Sequence, residues 1–217
     1  MVYVLKIRQL EEILSDIYGN LGWWPGESED EIIIGAVLTQ NTTWTNVTRA
    51  MINLRRENLN TLESLADGNI DLIRECIRPA GFYNQKSGYL MGIASEIRKK
   101  GGMEAVHEMS DAEAKIFFIS LKGIGTETME DILLYALNRK KFVKDKYAAR
   151  LFSRLGFTES IDLLGKQVEQ EFSVDEIKNF HGCIVEICKS FCRSTPKCNE
   201  CPLKDSCKYY EKVFTEP

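Results

Sequence analysis

Helix-start signatures recur along this chain, whereas strand patterns are scarce. In each signature a serine is followed three residues later by a glutamate, so that the two side chains can cap backbone N–H groups reciprocally. Such pairs stand at Ser28–Glu31, Ser110–Glu113 and Ser173–Glu176, and an apolar stripe at helical spacing precedes them, formed by Val4, Leu5, Leu10, Ile13, Leu14 and Ile17. Short connections that carry glycine or proline separate the helical stretches. The sequence therefore predicts an all-α fold.

Composition and charge exclude several classes of protein. No apolar run is long enough to cross a bilayer, and the N-terminal segment lacks the features of a signal peptide, so a cytoplasmic location is expected. The net charge of −4 argues against a protein that coats nucleic acid non-specifically. Between Arg139 and Arg154, however, basic residues cluster around a single acid, Asp145. This asymmetry fits either a phosphate-binding face or a solvated surface.

The segment Leu121–Gly125, with the sequence LKGIG, joins two helical patterns. Gly123 and Gly125 allow a tight turn whose backbone amides point outward at a helix start, which makes an anion site suited to a DNA phosphate. Ile124 is expected to pack between the two helices. A plain connector without a ligand explains the same pattern when it is taken alone.

About twenty residues after this turn, Val143, Asp145 and Arg150 form the pattern V-x-D-x-x-x-x-R. The turn, the helix that follows it and this pattern together resemble the signature of the endonuclease III superfamily of helix–hairpin–helix DNA glycosylases. The resemblance implies that Asp145 faces the sugar of an extruded nucleotide and that Arg150 belongs to the DNA-binding surface. A carboxylate in a dry site stabilises the oxocarbenium-like charge of N-glycosidic cleavage and can activate water. Asp145 can also cap the helix that follows it.

Members of this superfamily that also cleave the DNA backbone carry a lysine two residues after the second glycine. This chain has Glu127 there, and a carboxylate cannot form the Schiff base of the lyase reaction. The difference favours a monofunctional glycosylase that uses water. Glu127 itself is expected to interact with the dipole of its helix rather than to act as a second catalytic acid.

A glycosylase must flip out its target base and hold it between stacking surfaces. Trp24, Pro25 and Trp44 are the candidates for these surfaces, while Trp23 fits the base pocket and the core equally well. Aromatic walls with few charges suit a base that is cationic or electron-poor. His181 either lines this pocket or caps a helix.

Several motifs resemble the 3-methyladenine branch of the superfamily in particular: WWP, GAVLTQNT, RPAGFYNQK, KGIG, DKYAARLFSRLG and FHGCIVE. The resemblance extends over residues 23–186. It implies that Gln40 enters the duplex where the flipped base was, and that Lys86 contacts a phosphate. In that branch a lysine stands where this chain has Cys183, which leaves the exact lesion open.

Four cysteines near the C-terminus have the spacing C-x5-C-x2-C-x5-C, namely Cys192, Cys198, Cys201 and Cys207. Without an export signal these are expected to be reduced thiols, and four thiolates fit either zinc or a [4Fe–4S] cluster. The segment resembles the cluster loop of the endonuclease III family, which implies [4Fe–4S]. That family usually has six residues in the first gap, where this chain has five, so zinc stays the alternative. The remaining cysteines are expected to be small buried residues, namely Cys76, Cys183 and Cys188.

The resemblance implies two helical domains with DNA between them. A six-helix domain is expected over residues 25–138, and an iron–sulfur domain over residues 1–24 together with residues 139–217. The expected function is that of a monomeric base-excision glycosylase acting on double-stranded DNA with a damaged base, an alkylated purine such as 3-methyladenine. Two alternatives stay open: an endonuclease III-like glycosylase with abasic-site lyase activity, and a DNA-binding protein without catalysis.

Overall fold

The computed structural model describes residues 5–215, and every regular element in that range is helical. The all-α prediction is therefore confirmed for this part of the chain. Val4, a member of the predicted N-terminal stripe, lies outside the described residues. None of the helices within residues 5–215 is long and apolar enough to cross a membrane.

The α-helices in chain order are α1 (Ile7–Tyr18), α2 (Glu29–Leu38), α3 (Trp44–Arg56), α4 (Leu62–Ala66), α5 (Ile70–Ile77), α6 (Tyr83–Lys100), α7 (Met103–Glu108), α8 (Asp111–Ser120), α9 (Thr126–Asp131), α10 (Lys146–Leu155), α11 (Ile161–Glu171), α12 (Val174–Ser190) and α13 (Lys208–Tyr210). Short 3-10 turns lie at Arg78–Ala80, Cys198–Glu200 and Lys204–Ser206, and π-helical turns at Ile132–Ala136 and Glu211–Thr215.

The chain divides into two compact units. One unit is Pro25–Arg139, and it contains the eight α-helices α2 to α9. The other unit combines the chain up to Trp24 with the chain from Lys140 onward. It contains α1 and α10 to α13.

Helix α12 is central to the unit that includes α1. Both α1 and α10 pack against α12. Phe180 on α12 is fully buried, and its ring lies 6.1 Å from that of Phe142 and 5.5 Å from that of Phe172. On α1, Leu10 and Leu14 are fully buried, as the apolar stripe predicts. This packing fixes the start of α10 beside the middle of α12.

Helix α2 forms the core of Pro25–Arg139. Its residues from Ile33 to Leu38 are buried, so this part of the helix has no polar face. The helix contacts α3, α6 and the π-helical turn Ile132–Ala136. Ser28 caps its start by accepting a hydrogen bond from the Glu31 N–H. The reciprocal half of the predicted capping box is absent from this helix, because the Glu31 carboxylate accepts from Arg55 and from the N–H of Glu27 instead. At Ser110 and Ser173 the full boxes form as predicted.

The Glu31–Arg55 pair gives the protein a specific acid sensitivity. Glu31 is 3% exposed, and the hydrogen bond from Arg55 outweighs burial to lower its pKa from 4.5 to about 2. A carboxyl with a depressed pKa contributes stability above its ordinary value, and this contribution disappears as the pH falls from about 4.5 toward about 2.

We therefore expect Glu31→Gln to lower the free energy of unfolding at neutral pH by roughly 2 kcal/mol, after allowance for screening at the partly exposed Arg55. The variant should also lose less stability than the wild type on acidification. Denaturant titrations at neutral and acidic pH measure both effects. Glu63→Gln, on the exposed side of α4, is the matched control and should change neither.

Candidate active site

The turn between α8 and α9 has the geometry of a tight backbone hairpin. Gly123 has φ +90°, and a Cβ atom there would lie 2.3 Å from ring carbons of Tyr89. Only glycine fits this position. Ile124 is 7% exposed and its N–H donates to the Leu121 carbonyl over 3.1 Å, so it packs inward as expected. Gly125 is exposed and directly precedes α9.

Gln40, which follows α2, is attached to this hairpin. Its side-chain amide donates to the Gly123 carbonyl over 2.8 Å and to the Thr128 hydroxyl over 2.9 Å. The side chain is half-buried. The structure thus places Gln40 next to the glycine turn, within Pro25–Arg139.

The structure corrects the expected role of Lys86. This side chain is 2% exposed, and its ammonium donates to the carbonyls of Leu38, Gln40 and Ala80 over 2.8, 2.7 and 2.9 Å. An ammonium has three donors, and all three are used here. Burial also lowers the pKa of Lys86 to about 8. The expectation of a direct phosphate contact is wrong, because sequence spacing does not reveal that the side chain points into the core.

Sequence reasoning overlooked Phe82. This residue is 62% exposed and its backbone is left-handed, with φ +47°. Bulky residues rarely adopt this conformation, and large aromatic side chains are rarely so exposed. An aromatic residue directly after Gly81, between a turn and a helix, was the available signal.

Two further predicted residues belong to the unit Pro25–Arg139, namely Pro25 at its first position and Trp44 at the start of α3. Trp44 is the first residue of α3 and is half-buried. Pro25 is exposed. Both are therefore accessible in part, as a stacking surface requires.

Asp145 lies at the start of α10 and is only 6% exposed. Its Oδ1 accepts a hydrogen bond from the Ala148 N–H over 2.7 Å, so the residue does cap the helix. Its Oδ2 lies 3.7 Å from Nε2 of His181, which is 4% exposed. His181 lies in the interior of α12 and not at either end of that helix. The structure thus brings a buried carboxylate and a buried imidazole together.

Trp23 packs on α12 beside this pair. A Cβ atom on Gly182 would lie 2.8 Å from Cγ of Trp23, so the indole needs a glycine beneath it. The Lys189 ammonium lies 4.7 Å from the Trp23 ring centroid. These contacts give Trp23 a packing role. Trp24, by contrast, is half-buried on a backbone with φ +78°.

Arg150 and Arg154 connect α10 to the cysteine segment, residues 192–207. Arg150 Nε donates to the Cys192 carbonyl over 2.7 Å, and its guanidinium lies 5.2 Å from the Tyr147 ring centroid. Arg154 donates to the Cys192 sulfur over 3.4 Å and to the Arg193 carbonyl over 2.7 Å. Arg150, predicted as a DNA contact, thus holds the cysteine segment through at least one nitrogen.

The four C-terminal cysteines line one cavity, together with Leu151 and Arg154 among others. Within residues 5–215 no three His, Cys, Asp or Glu side chains converge closely enough to hold a single metal ion. In a zinc site all sulfurs lie about 2.3 Å from one ion, whereas in a [4Fe–4S] cluster each sulfur binds a different iron. Four thiols that line one cavity are a donor set that such a cluster could use.

The thiols around this cavity differ in environment. Hydrogen bonds from Cys188 and Arg154 lower the pKa of Cys192, which favours the thiolate that a metal requires. Cys76, Cys183 and Cys188 are buried, as predicted for small core residues.

Residues 34–174 match the family described as the HhH-GPD superfamily of base excision DNA repair proteins. The chain belongs to this superfamily. It is therefore a DNA N-glycosylase of base excision repair, as the hairpin and the aspartate predicted.

Individual relatives agree with this HhH-GPD assignment. A Methanocaldococcus jannaschii protein, provisionally named as a DNA repair glycosylase, is 39% identical and covers 93% of this chain and 95% of its own. The H. pylori 3-methyladenine DNA glycosylase bound to 1,N6-ethenoadenine is 31% identical, with a TM-score of 0.72 over 83% of this chain and 97% of that chain. An endonuclease III–DNA complex shares the fold, with a TM-score of 0.79 over the full length of both chains at 18% identity.

Proposed function

We propose that this HhH-GPD protein is a monofunctional, monomeric glycosylase that removes an alkylated purine, 3-methyladenine above all, from double-stranded DNA. The observation that carries the proposal is the buried Asp145 carboxylate beside His181, 3.7 Å away. The likeness to the H. pylori 3-methyladenine enzyme supports the substrate class.

Asp145 supplies the electrostatic part of the reaction. Its Oδ1 is held by the Ala148 N–H, which fixes the plane of the carboxylate and leaves Oδ2 for chemistry. As the glycosidic bond breaks, positive charge grows on the sugar, and a preorganised carboxylate in a site with little water stabilises it. The same oxygen accepts a proton from the attacking water.

The leaving group explains why one carboxylate is enough. An alkylated purine such as 3-methyladenine carries positive charge in DNA and leaves as a neutral base, so it needs no strong general acid. Electron-rich indole faces bind such a cation. Trp24, Pro25, Trp44 and His181 are proposed as the residues that contact the flipped base.

Glu127 supports the monofunctional assignment. It occupies the position where lyase members of the superfamily carry their nucleophilic lysine, and a carboxylate cannot form an imine with the sugar. Water is then the nucleophile, and the DNA backbone stays intact.

The DNA contacts are proposed to come from backbone and side chains together. Gly123 and Gly125 present their amides to a phosphate, and Ile124 keeps the turn in place by packing inward, while Gln40 and the exposed Phe82 enter the duplex at the vacated position. Arg150 contributes by holding α10 to the cysteine segment and by its positive charge.

The cofactor is proposed to be a [4Fe–4S] cluster held by Cys192, Cys198, Cys201 and Cys207. It would supply folding energy to a segment with few buried apolar side chains, and no step of base release depends on it. Zinc is the alternative, and metal analysis of the purified protein distinguishes the two.

A panel of duplexes tests the function. Each duplex carries one defined lesion: 3-methyladenine, 1,N6-ethenoadenine or an oxidised pyrimidine. We expect release of the alkylated purine without strand scission and without a borohydride-trapped protein–DNA adduct. Release of the oxidised pyrimidine with a trapped adduct would favour an endonuclease III-like enzyme instead, and the absence of any base release would leave a DNA-binding protein without catalysis.

A further inference from the structure

The Lys86 ammonium is a buried cation whose three donors all meet backbone carbonyls. Two of the acceptors are Leu38, the last residue of α2, and Gln40, two residues beyond it. The third, Ala80, closes the 3-10 turn before Gly81. One side chain on α6 therefore joins two segments that are about forty residues apart in sequence.

Burial of the Lys86 ammonium is unfavourable to the free energy of folding. Burial disfavours the charged form of a lysine, and the lowered pKa of Lys86 reflects that cost. An apolar side chain such as methionine would fill the same space without desolvating a charge. The compensation is geometric, since a helix end presents partly negative carbonyls and only an ammonium can donate to three of them from one point.

The two joined segments hold residues proposed to enter the DNA. The Gln40 carbonyl is held by Lys86, and the Gln40 amide is held by Gly123 and Thr128 of the hairpin region. The Ala80 carbonyl is held two residues before the exposed Phe82. Gln40, the Phe82 turn and the glycine hairpin thus form one hydrogen-bonded set with Lys86 at its centre.

We infer that Lys86 is a positioning residue, which sets the backbone of Gln40 and of the Phe82 turn so that both side chains enter the duplex together. This inference rests on the proposed function, because it explains how the residues that fill the gap in the duplex are held in place. Lys86 itself touches neither DNA nor the reacting atoms.

The test compares binding to an intact duplex with binding to the same duplex carrying a tetrahydrofuran abasic-site analogue, which offers a gap to fill. We expect Lys86→Met to reduce the preference for the abasic duplex by at least about tenfold, while affinity for the intact duplex changes by less than about threefold. Lys99→Met is the matched control, since Lys99 lies on the same helix at the surface, paired with Glu96. An unchanged preference in Lys86→Met would overturn the inference.

A double-mutant cycle separates positioning from general destabilisation. If Lys86 acts through Gln40, then Lys86→Met combined with Gln40→Ala loses little more preference than Lys86→Met alone. Losses that multiply independently would show that the two residues act separately, and would contradict the inference.

Lys86→Arg keeps the charge and covers the case in which the methionine variant does not fold. A planar guanidinium cannot reproduce three donors that diverge from one nitrogen, so we expect most of the preference to be lost here too. Wild-type preference in this variant would refute the geometric role.

Hydrogen exchange keeps the inference separate from the proposed function. Without DNA, amides of residues 38–42 and 80–84 should exchange faster in the Lys86 variants than in the Lys99 control, while the rest of Pro25–Arg139 is unchanged. This result stands even if the wild type releases no base, in which case the proposed function fails alone. Unchanged exchange in both segments would contradict the positioning role.

Discussion

Replacement of Asp145 by asparagine is expected to slow base release by roughly 10²–10⁴-fold while the protein stays folded. The amide has nearly the shape of the carboxylate, but it carries no negative charge to oppose the charge that grows on the sugar. Single-turnover base release from an alkylated duplex measures the effect, with enzyme in excess so that binding does not limit the rate.

The folded state should survive this change because of the capping role of Asp145. Its Oδ1 accepts from the Ala148 N–H, and asparagine caps helices about as well as aspartate. Asp16→Asn, at an exposed position of α1, is the matched control and should retain wild-type rates. Base release at the wild-type rate by a folded Asp145→Asn protein would remove the central claim of the proposed function.

Replacement of Cys198 by serine is expected to cost the protein its metal and much of the stability of its C-terminal segment. Between Cys192 and Phe214 few apolar side chains are fully buried, Leu203 being one, so the metal would supply most of the folding energy of this segment. We expect the wild type to contain about four iron atoms and matching sulfide per chain, with visible absorption that the variant lacks.

Iron, sulfide and zinc analysis, together with limited proteolysis of the C-terminal segment, checks this expectation. Cys76→Ala is the matched control, because Cys76 is buried in the unit Pro25–Arg139 and lines no part of the cysteine cavity. One zinc per chain in the wild type would replace the cluster assignment, and full iron content in Cys198→Ser would exclude Cys198 as a ligand.

Local patterns predicted the helices well because their causes are local. The boxes at Ser110 and Ser173 form as predicted, since each involves atoms three residues apart. At Ser28 the same pattern gave only half a box, because Arg55, twenty-four residues away along the chain, takes the Glu31 carboxylate. Tertiary contacts decided the outcome there.

The candidate site shows the same division. The glycine hairpin and the carboxylate at position 145 were predictable, because backbone conformation and motif spacing are encoded over short stretches. The burial of Lys86 was not, since it depends on carbonyls of Leu38 and Gln40 that lie far away in sequence. The contact between Asp145 and His181 joins α10 to α12 and is likewise invisible to a local pattern.

The left-handed backbone of Phe82 has a consequence for the stability of the protein. A left-handed conformation costs a bulky residue of the order of 1–2 kcal/mol, and an aromatic ring that is 62% exposed recovers little by burial. Glycine would relieve the strain, and a polar side chain would suit the solvent. Selection for stability alone would favour either replacement. The exposed aromatic ring at this strained position therefore supports the proposed role of Phe82 in filling the gap in the duplex, at some cost to the stability of the free protein.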